Sequence, residues 1–452
     1  MDAIAAFARH VADRHFDDMP AGVVTAAKTL ILDTCGVGIA GSNGPKAREL
    51  AETQELWGRG TDARVWSSGK RLPAPAAAFC NAYQIHNSEF DCVHEAAVAH
   101  VMTVVLPVAL AAAERSGAVS GRQLIEAVVL GVDVAASLGV AASSGLRFFR
   151  PATVGAFGGV ATVGKLMGFD SDRLHNAFSI VYGQLCGTMQ AHTEGSMLLA
   201  MQMGFNARNA IVACDMAAAG MDGPKNILEG PFGYFRLFEA SGDPQMVAAE
   251  LGRKWQITEV AQKPFPSGRA THGVIDACLE LKRQRGIATD SIACVTGRVP
   301  PLVHHLVGRP PKPAMTINYA RLCASYVAAR ALLRGDVGLD DFRDEAYRDP
   351  ATQALAQRIS IAVEDGGDPN ALTPVSVEIV LKDGTKHAIK LDVVYGNPAK
   401  PMSRQAHLAK FRRNCELGAR PIPADKVARL VGHVDNLDAV SDIRAIVDEM
   451  TG

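Results

Sequence analysis

The sequence has few aromatic residues and almost no net charge. Aromatic side chains make up 6% of the 452 residues, and 46 basic residues face 47 acidic ones, which leaves a formal charge of -1. Nucleic acids and anionic membrane surfaces attract strongly basic proteins. The charge balance therefore argues against either of them as the main partner.

The nine cysteines lack any paired spacing such as CxxC. This excludes a zinc ribbon or an iron–sulfur cluster held by closely spaced thiolates, and an odd, unpatterned set predicts reduced thiols. The N-terminal apolar stripe is interrupted by charges, unlike a signal peptide, and no later segment looks long and charge-free enough to span a membrane. We therefore expect a cytoplasmic protein without a membrane partner.

Several familiar motifs are also missing. The sequence has no GxGxxG following a predicted strand, no GxxxxGK[ST], no HExxH and no GxSxG. Asp91, His94 and His100 could bind a metal in principle, but no helical His-x3-His pair or carboxylate cluster supports one. The sequence therefore predicts neither a metal nor an organic cofactor.

The hydrophobic pattern changes twice along the chain. It is helical up to about residue 255, with a break predicted where glycines interrupt the second helix between Gly36 and Gly44. Extended segments alternate with helices from Lys263, and Asp383-Gly384 between two β-type runs predicts a hairpin. The pattern is helical again near the C-terminus. We predict a mainly α protein, with an all-helical domain of residues 1–262 and 397–452 and a smaller α+β domain of residues 263–396.

One stretch, Gln84–Pro107, is unusually rich in titratable side chains ahead of an apolar, alanine-rich run. Such density at the mouth of a buried helix favours positioned acid–base chemistry. The alternative is a solvated loop before a core helix, because loops are normally polar. The histidines and carboxylates of the stretch are His86, Glu89, Asp91, His94, Glu95 and His100.

A second stretch begins where the pattern changes, with the sequence KPFPSGRATH from Lys263. Ser267 and Gly268 could present backbone N–H groups near a helix N-terminus, and Lys263 and Arg269 add positive charge, which suits a carboxylate or a phosphate. The alternative is an interdomain linker with incidental basic residues. Two further candidates stand apart: Arg150 could clamp a dicarboxylate or form a surface ion pair, and Tyr326 could be an acid or a packing residue.

Taken in order, these stretches resemble the MmgE/PrpD family, which includes 2-methylcitrate dehydratase, cis-aconitate decarboxylase and iminodisuccinate epimerase. The resemblance covers essentially the whole chain, and its motifs are specific as an ordered set. They are His86-Asn-Ser-Glu89-Phe-Asp91-Cys-Val-His94-Glu95 with His100 and Leu106-Pro107, Gly155–Gly158, Asp222–Pro224, Leu228–Gly233, Lys263–Ser267, Ala320–Tyr326, Gly396–Pro398 and Lys410-Phe411.

The resemblance implies a helical domain built from both chain ends, a smaller α+β lid, a homodimer and a cofactor-free active site in the cleft between the domains. It also implies His100 as the base or acid, oriented by Asp91 or His94. Lys263 would stabilise an anionic intermediate or donate a proton, and Tyr326 would serve as a second acid. The predicted substrate-binding residues are Glu89, Arg150, Ser267 and Arg269.

The sequence departs from the family pattern at several polar positions. Glu89 replaces an aspartate, Cys92 and Val93 replace an aspartate and a threonine, and apolar Leu199 lies where the family has a Lys-x-Leu-His motif. We predict a lyase of the 2-methylcitrate dehydratase type that eliminates water from a small polycarboxylic or hydroxy acid. An epimerase, a decarboxylase and a non-catalytic carboxylate-binding protein remain the alternatives.

Overall fold

The structure is a computed structural model that describes residues 2–364, 368 and 370–452. It is mainly helical, as predicted, with small sheets. The chain forms two compact units. The helical unit consists of the residues up to Met189, Leu198–Gln262 and Ser403–Gly452, and the α+β unit consists of Gln190–Met197 and Lys263–Met402.

The α-helices of the described residues are, in chain order, α1 (Ile4–Asp13), α2 (Ala21–Gly41), α3 (Ala47–Trp57), α4 (Ala74–His86), α5 (Met102–Ser116), α6 (Gly121–Ala141), α7 (Arg150–Leu166), α8 (Ser171–Tyr182), α9 (Met189–Glu194), α10 (Leu198–Ala218), α11 (Tyr234–Leu237), α12 (Pro244–Ala248), α13 (Arg269–Arg285), α14 (Pro301–Val307), α15 (Ile317–Arg321), α16 (Ala324–Arg334), α17 (Asp344–Arg348), α18 (Pro350–Ala356), α19 (Arg404–Glu416), α20 (Ala424–Asp435) and α21 (Arg444–Glu449). The strands are β1 (Ala63–Arg64), β2 (Arg71–Leu72), β3 (Val93–His94), β4 (Val260–Ala261), β5 (Ile292–Val299), β6 (Ile359–Val363), β7 (Val375–Leu381) and β8 (Lys386–Leu391).

The predicted break in the second helix is wrong, because α2 continues to Gly41. A Cβ added at Gly41 would lie 1.7 Å from the carbonyl oxygen of Gln84 in α4, and one at Gly36 would lie 2.7 Å from the ring of Phe411 in α19. Glycine costs about 1 kcal/mol of helix propensity relative to alanine. Here that cost is offset because the absent side chains let α2 approach both neighbouring helices closely.

Two helices of the helical unit, α2 and α6, are long and apolar enough to cross a membrane by length and composition, contrary to the sequence prediction. The most apolar window of α2 is 72% buried inside the protein, and that of α6 is 89% buried. Their apolar surfaces are thus largely covered by protein, as in the core helices of many folds.

The α+β unit contains a four-stranded sheet in the order β6-β5-β7-β8. The predicted hairpin is confirmed, since β7 and β8 pair antiparallel across the Asp383-Gly384 turn. The pair of β5 and β6 is parallel. The core of this unit gathers aromatic and aliphatic side chains around α16, including Phe265, Ile275, Tyr326 and Phe342.

Candidate active site

Two histidine side chains of the helical unit converge on one carboxylate oxygen. His86 Nδ1 lies 2.8 Å from Asp91 Oδ2, and His100 Nδ1 lies 3.1 Å from the same atom. The two imidazole rings meet edge to face, with centroids 4.8 Å apart. His86 is the last residue of α4, Asp91 lies in the following loop and His100 precedes α5, so the packing of α4 on α5 assembles the group. We call His86, Asp91 and His100 the acid–base trio.

Asp91 is held in its ionised form. Burial alone would raise the pKa of this carboxyl, but the imidazoles of His100 and His86 hold the pKa well below its ordinary value. Thr103, in the first turn of α5, donates its hydroxyl to Asp91 Oδ2 at 2.5 Å. A carboxylate beside an imidazole stabilises the charge that the ring gains when it accepts a proton, which suits a histidine that exchanges protons.

His100 is the member of the trio that reaches solvent. Its side chain is 12% exposed, whereas those of His86 and Asp91 are 1% and 0% exposed. Its Nδ1 faces Asp91 at 3.1 Å, so the carboxylate fixes the orientation of the ring. This geometry is that of a general acid or base oriented by a carboxylate.

The trio also has the composition of a cation site. One ligand atom from each residue lies within 4.8 Å of the others, a spacing that a metal ion could bridge. However, Asp91 Oδ2 already forms hydrogen bonds with the Thr103 hydroxyl and with His86 Nδ1, which need no cation, and His100 Nδ1 makes an ion-pair contact with the same atom. The absence of a metal therefore stays a prediction.

Glu89 lies beside the trio in a strained backbone position. Its Oε1 atom is 3.6 Å from His86 Nε2, and its φ angle is 52°. Val98, seven residues after Asp91 in the chain, has a φ angle of 49°, which a β-branched residue rarely adopts. Such strain concentrates at functional sites. Glu89 is thus close to the trio, and its substrate-binding role stays a prediction.

His94 is bound elsewhere and does not belong to the trio. Its Nε2 atom is 3.0 Å from Gln256 Oε1, and its Nδ1 accepts the backbone N–H of Ala97 at 3.1 Å. Since a backbone N–H can only donate, Nδ1 carries no proton and Nε2–H donates to Gln256. Of the two orienting residues that the sequence proposed for His100, the structure places Asp91 against its ring. His94 instead shapes the turn that leads to His100. The pairing of β3 with β4 anchors the start of this turn.

The buried ring of His94 makes stability depend on pH. Burial lowers the pKa of His94 to about 4, so in mildly acid solution the unfolded chain takes up this proton first and stability falls between about pH 6.5 and pH 4. On going from pH 7.5 to pH 5, we expect wild type to lose about 2 kcal/mol more unfolding free energy than His94→Gln does. Urea unfolding at the two pH values measures this difference. His15→Gln, which removes a histidine whose side chain is 68% exposed, should behave like wild type, and equal losses in His94→Gln and wild type would contradict the prediction.

Arg150 has an internal carboxylate partner. Its guanidinium is fully buried and binds both carboxylate oxygens of Glu239 at 2.8 Å, and Nη2 also donates to the Ser144 carbonyl oxygen. Tyr234 donates its hydroxyl to Glu239 at 3.0 Å. The alternative of a surface ion pair is wrong, because the pair is buried. Arg150 is engaged within the protein, and a substrate-anchoring role for it stays a prediction.

The remaining predicted site residues lie in the α+β unit. Lys263 and Ser267 are fully buried, and Ser267 Oγ is 2.8 Å from Thr271 Oγ1. Arg269 donates to the carbonyl oxygens of Val394 and Tyr395, which ties the start of α13 to the chain after β8.

Tyr326 lies in the core of the same unit. Its hydroxyl donates to the carbonyl oxygen of Asp341 at 2.5 Å, and burial raises its pKa. Tyr326 is thus a weaker acid than an exposed tyrosine and packs as the alternative interpretation proposed. Its role as a second acid stays a prediction.

Four polar residues near Asp91 have no role that the sequence predicts: His86, Thr103, Asp33 and Lys410. The first two contact Asp91 directly. Asp33 and Lys410 form a buried ion pair at 2.8 Å beside the loop that carries Asp91. Two of these residues could have been found from the family resemblance. Lys410 belongs to its Lys410-Phe411 motif, and His86 is the first residue of its first motif.

Comparisons with known proteins match both parts of the chain. Residues 5–246 match the MmgE/PrpD N-terminal domain, and residues 265–435 match the MmgE/PrpD C-terminal domain. Human cis-aconitate decarboxylase is 28% identical over 447 residues, which cover 95% of this chain and 90% of that protein. Cis-aconitate decarboxylase of Aspergillus terreus is 26% identical over 457 residues, covering 96% and 92%. The cis-aconitate decarboxylase-like protein oryM of Aspergillus oryzae is 26% identical over 468 residues, covering 96% and 94%.

Proposed function

This chain belongs to the MmgE/PrpD family, and from that premise we propose that it is a lyase acting on a small polycarboxylic acid by proton transfer at a carbon α to a carboxylate. The observation that carries the proposal is the contact of His100 Nδ1 with the ionised Asp91 carboxylate, 3.1 Å away. Of the two imidazoles in the trio, that of His100 is the one with solvent access. The enzyme class is further supported by relatives that are named as decarboxylases.

The chemical step follows from the protonation states of the trio. For elimination, neutral His100 takes the α proton, the C–H electron pair forms an enolate-like anion, and Asp91 stabilises the resulting imidazolium. The anion then forms the C=C bond as the C–O bond to the β hydroxyl breaks, and the imidazolium returns a proton so that the hydroxyl leaves as water. For decarboxylation, the electron pair of the broken C–C bond enters the same kind of anion, and protonated His100 then delivers a proton to carbon. In both reactions the Asp91 carboxylate stabilises His100 while its imidazole carries the extra proton.

The leaving group separates the two versions of this lyase. The sequence predicts loss of water, whereas the names of the relatives favour loss of carbon dioxide. Dehydration and decarboxylation both require a proton-transfer residue and an environment that stabilises an anion. The trio supplies the proton-transfer residue. We propose Lys263, the buried cation predicted from the sequence, for the anion-stabilising environment.

The test is product analysis on a panel of di- and tricarboxylic acids that includes cis-aconitate and 2-methylcitrate. Proton NMR follows each acid with the purified protein, and a carbon dioxide assay runs in parallel. Release of carbon dioxide with a matching new alkene establishes the decarboxylase, and an unsaturated product without carbon dioxide establishes the dehydratase. Inversion without loss of a group would identify an epimerase, and thermal stabilisation by an acid without turnover would identify a binding protein; either result would overturn the proposed lyase.

A further inference from the structure

A buried ammonium group contacts the loop that carries Asp91 of the acid–base trio. Lys410, in α19, is 9% exposed, and its Nζ atom is 2.8 Å from Asp33 Oδ1 in α2. The same Nζ lies 3.3 Å from the carbonyl oxygen of Phe90 and 4.1 Å above the centroid of the Phe90 ring. Phe90 immediately precedes Asp91. One cation thus contacts both the backbone and the side chain of the residue next to the carboxylate of the trio.

The surroundings make Lys410 the principal cation at this position. His407, one turn earlier in α19, has its Nε2 3.7 Å from Asp33 Oδ1, but burial lowers the pKa of its ring. Cys92, which follows Asp91, is fully buried, and burial raises the pKa of its thiol. Both side chains are therefore uncharged near neutral pH, and Lys410 is left to balance Asp33.

The contacts of Lys410 are directional as well as electrostatic. An ammonium group has three N–H donors, and here one faces a carboxylate and another a backbone carbonyl, while a cation over an aromatic face gains a further attraction. Movement of the Phe90 carbonyl would break its hydrogen bond with Lys410 and leave one N–H donor of the buried ammonium group without that acceptor, which is costly. Lys410 of α19 thus holds the Phe90 peptide of this loop, while His86, the last residue of α4, contacts Asp91 itself.

We propose that the Lys410–Asp33 pair positions the acid–base trio. It fixes the Phe90 peptide and, through it, the carboxylate of Asp91, which orients His100. Lys410 is a positioning residue and not a catalytic one, because the contacts that define its role are with Asp33 and Phe90 and not with the trio's own ring atoms. This inference rests on the proposed function of His100 as the proton-transfer group, and it assigns part of the active-site geometry to the last segment of the chain.

The test compares three variants with wild type. Asp33→Asn/Lys410→Met removes both charges together, so no buried charge is left unpaired. Lys410→Arg keeps the charge but changes the reach and shape of the cation. Arg64→Met/Glu114→Gln is the matched control, because it removes a largely buried ion pair, 2.7 Å long, at the far end of α5 in the same unit.

The first readout is an NMR titration of the His100 ring without substrate, with the signal assigned by its loss in His100→Gln. We expect the charge-removed double variant to titrate at a pH lower by about one unit, because a looser Asp91 favours the imidazolium less. Lys410→Arg should shift in the same direction by less, and the control should match wild type. An unchanged His100 titration in the folded double variant, or in Lys410→Arg where the double variant does not fold, would overturn the inference.

The second readout is turnover of the substrate identified by product analysis. The double variant is expected to lower kcat by about tenfold to a hundredfold with KM nearly unchanged, since misplacement of a catalytic group mainly affects the chemical step. A KM increase with unchanged kcat would overturn the positioning role. The titration requires no substrate, so failure to find a turned-over acid would count against the proposed function and leave the test of Lys410 intact.

Discussion

Replacement of His100 by glutamine is expected to lower kcat by about a thousandfold while the protein remains folded. Glutamine approximates the size of the ring and can still hydrogen bond to Asp91, but it cannot take up or release a proton near neutral pH. Positioned acid–base catalysis typically contributes a factor of about a hundred to ten thousand. Steady-state kinetics on the identified substrate measures the loss, and circular dichroism with urea unfolding establishes that the fold is intact.

Two histidine variants serve as controls for this result. His15→Gln removes an exposed ring from the same unit and should retain wild-type turnover. His94→Gln should act through the turn before His100 and lower kcat less than His100→Gln does, because both ring nitrogens of His94 are engaged by Gln256 and Ala97. A folded His100→Gln enzyme that keeps more than about a tenth of wild-type kcat would show that another group transfers the proton.

Replacement of Arg150 by methionine is expected to lower the free energy of unfolding by about 3–5 kcal/mol. The arginine is fully buried and binds both oxygens of Glu239. Methionine fills much of the volume but leaves the Glu239 carboxylate, whose side chain is 4% exposed, without its cation. Urea unfolding at pH 7 measures the change, and if Arg150 also anchored a substrate, KM would rise in variants that remain folded.

The double variant Arg150→Met/Glu239→Gln isolates the cause. It removes both charges, keeps a partner for the Tyr234 hydroxyl and should recover most of the stability lost in the single variant. If the single variant loses less than about 1 kcal/mol, or the double variant is no more stable than the single, the buried pair does not hold this part of the helical unit together.

The features that the sequence predicted correctly are local ones. The hairpin of β7 and β8 follows from an Asp-Gly pair between two β-type runs. Asp91 and His100 lie nine residues apart in one polar stretch, at the entrance to α5, so their proximity in the fold required only a short loop. The helical pattern predicted the mainly α class because most helices have a continuous apolar face.

The features that the sequence did not predict depend on contacts between distant segments. His94 pairs with Gln256, Arg150 with Glu239, and Lys410 with Phe90. No periodicity or spacing marks such partners. The continuation of α2 through its glycines has the same origin, since only the close approach of α4 and α19 explains why a side chain is excluded there.

The most direct measurement is exchange of carbon-bound hydrogen for deuterium in heavy water, followed by NMR on the panel of carboxylic acids. Wild type is expected to place deuterium at a carbon α to a carboxylate of at least one acid or its product, and His100→Gln should do so about a thousandfold more slowly. Equal incorporation of deuterium, or equal turnover, by wild type and a folded His100→Gln variant would contradict proton transfer by His100.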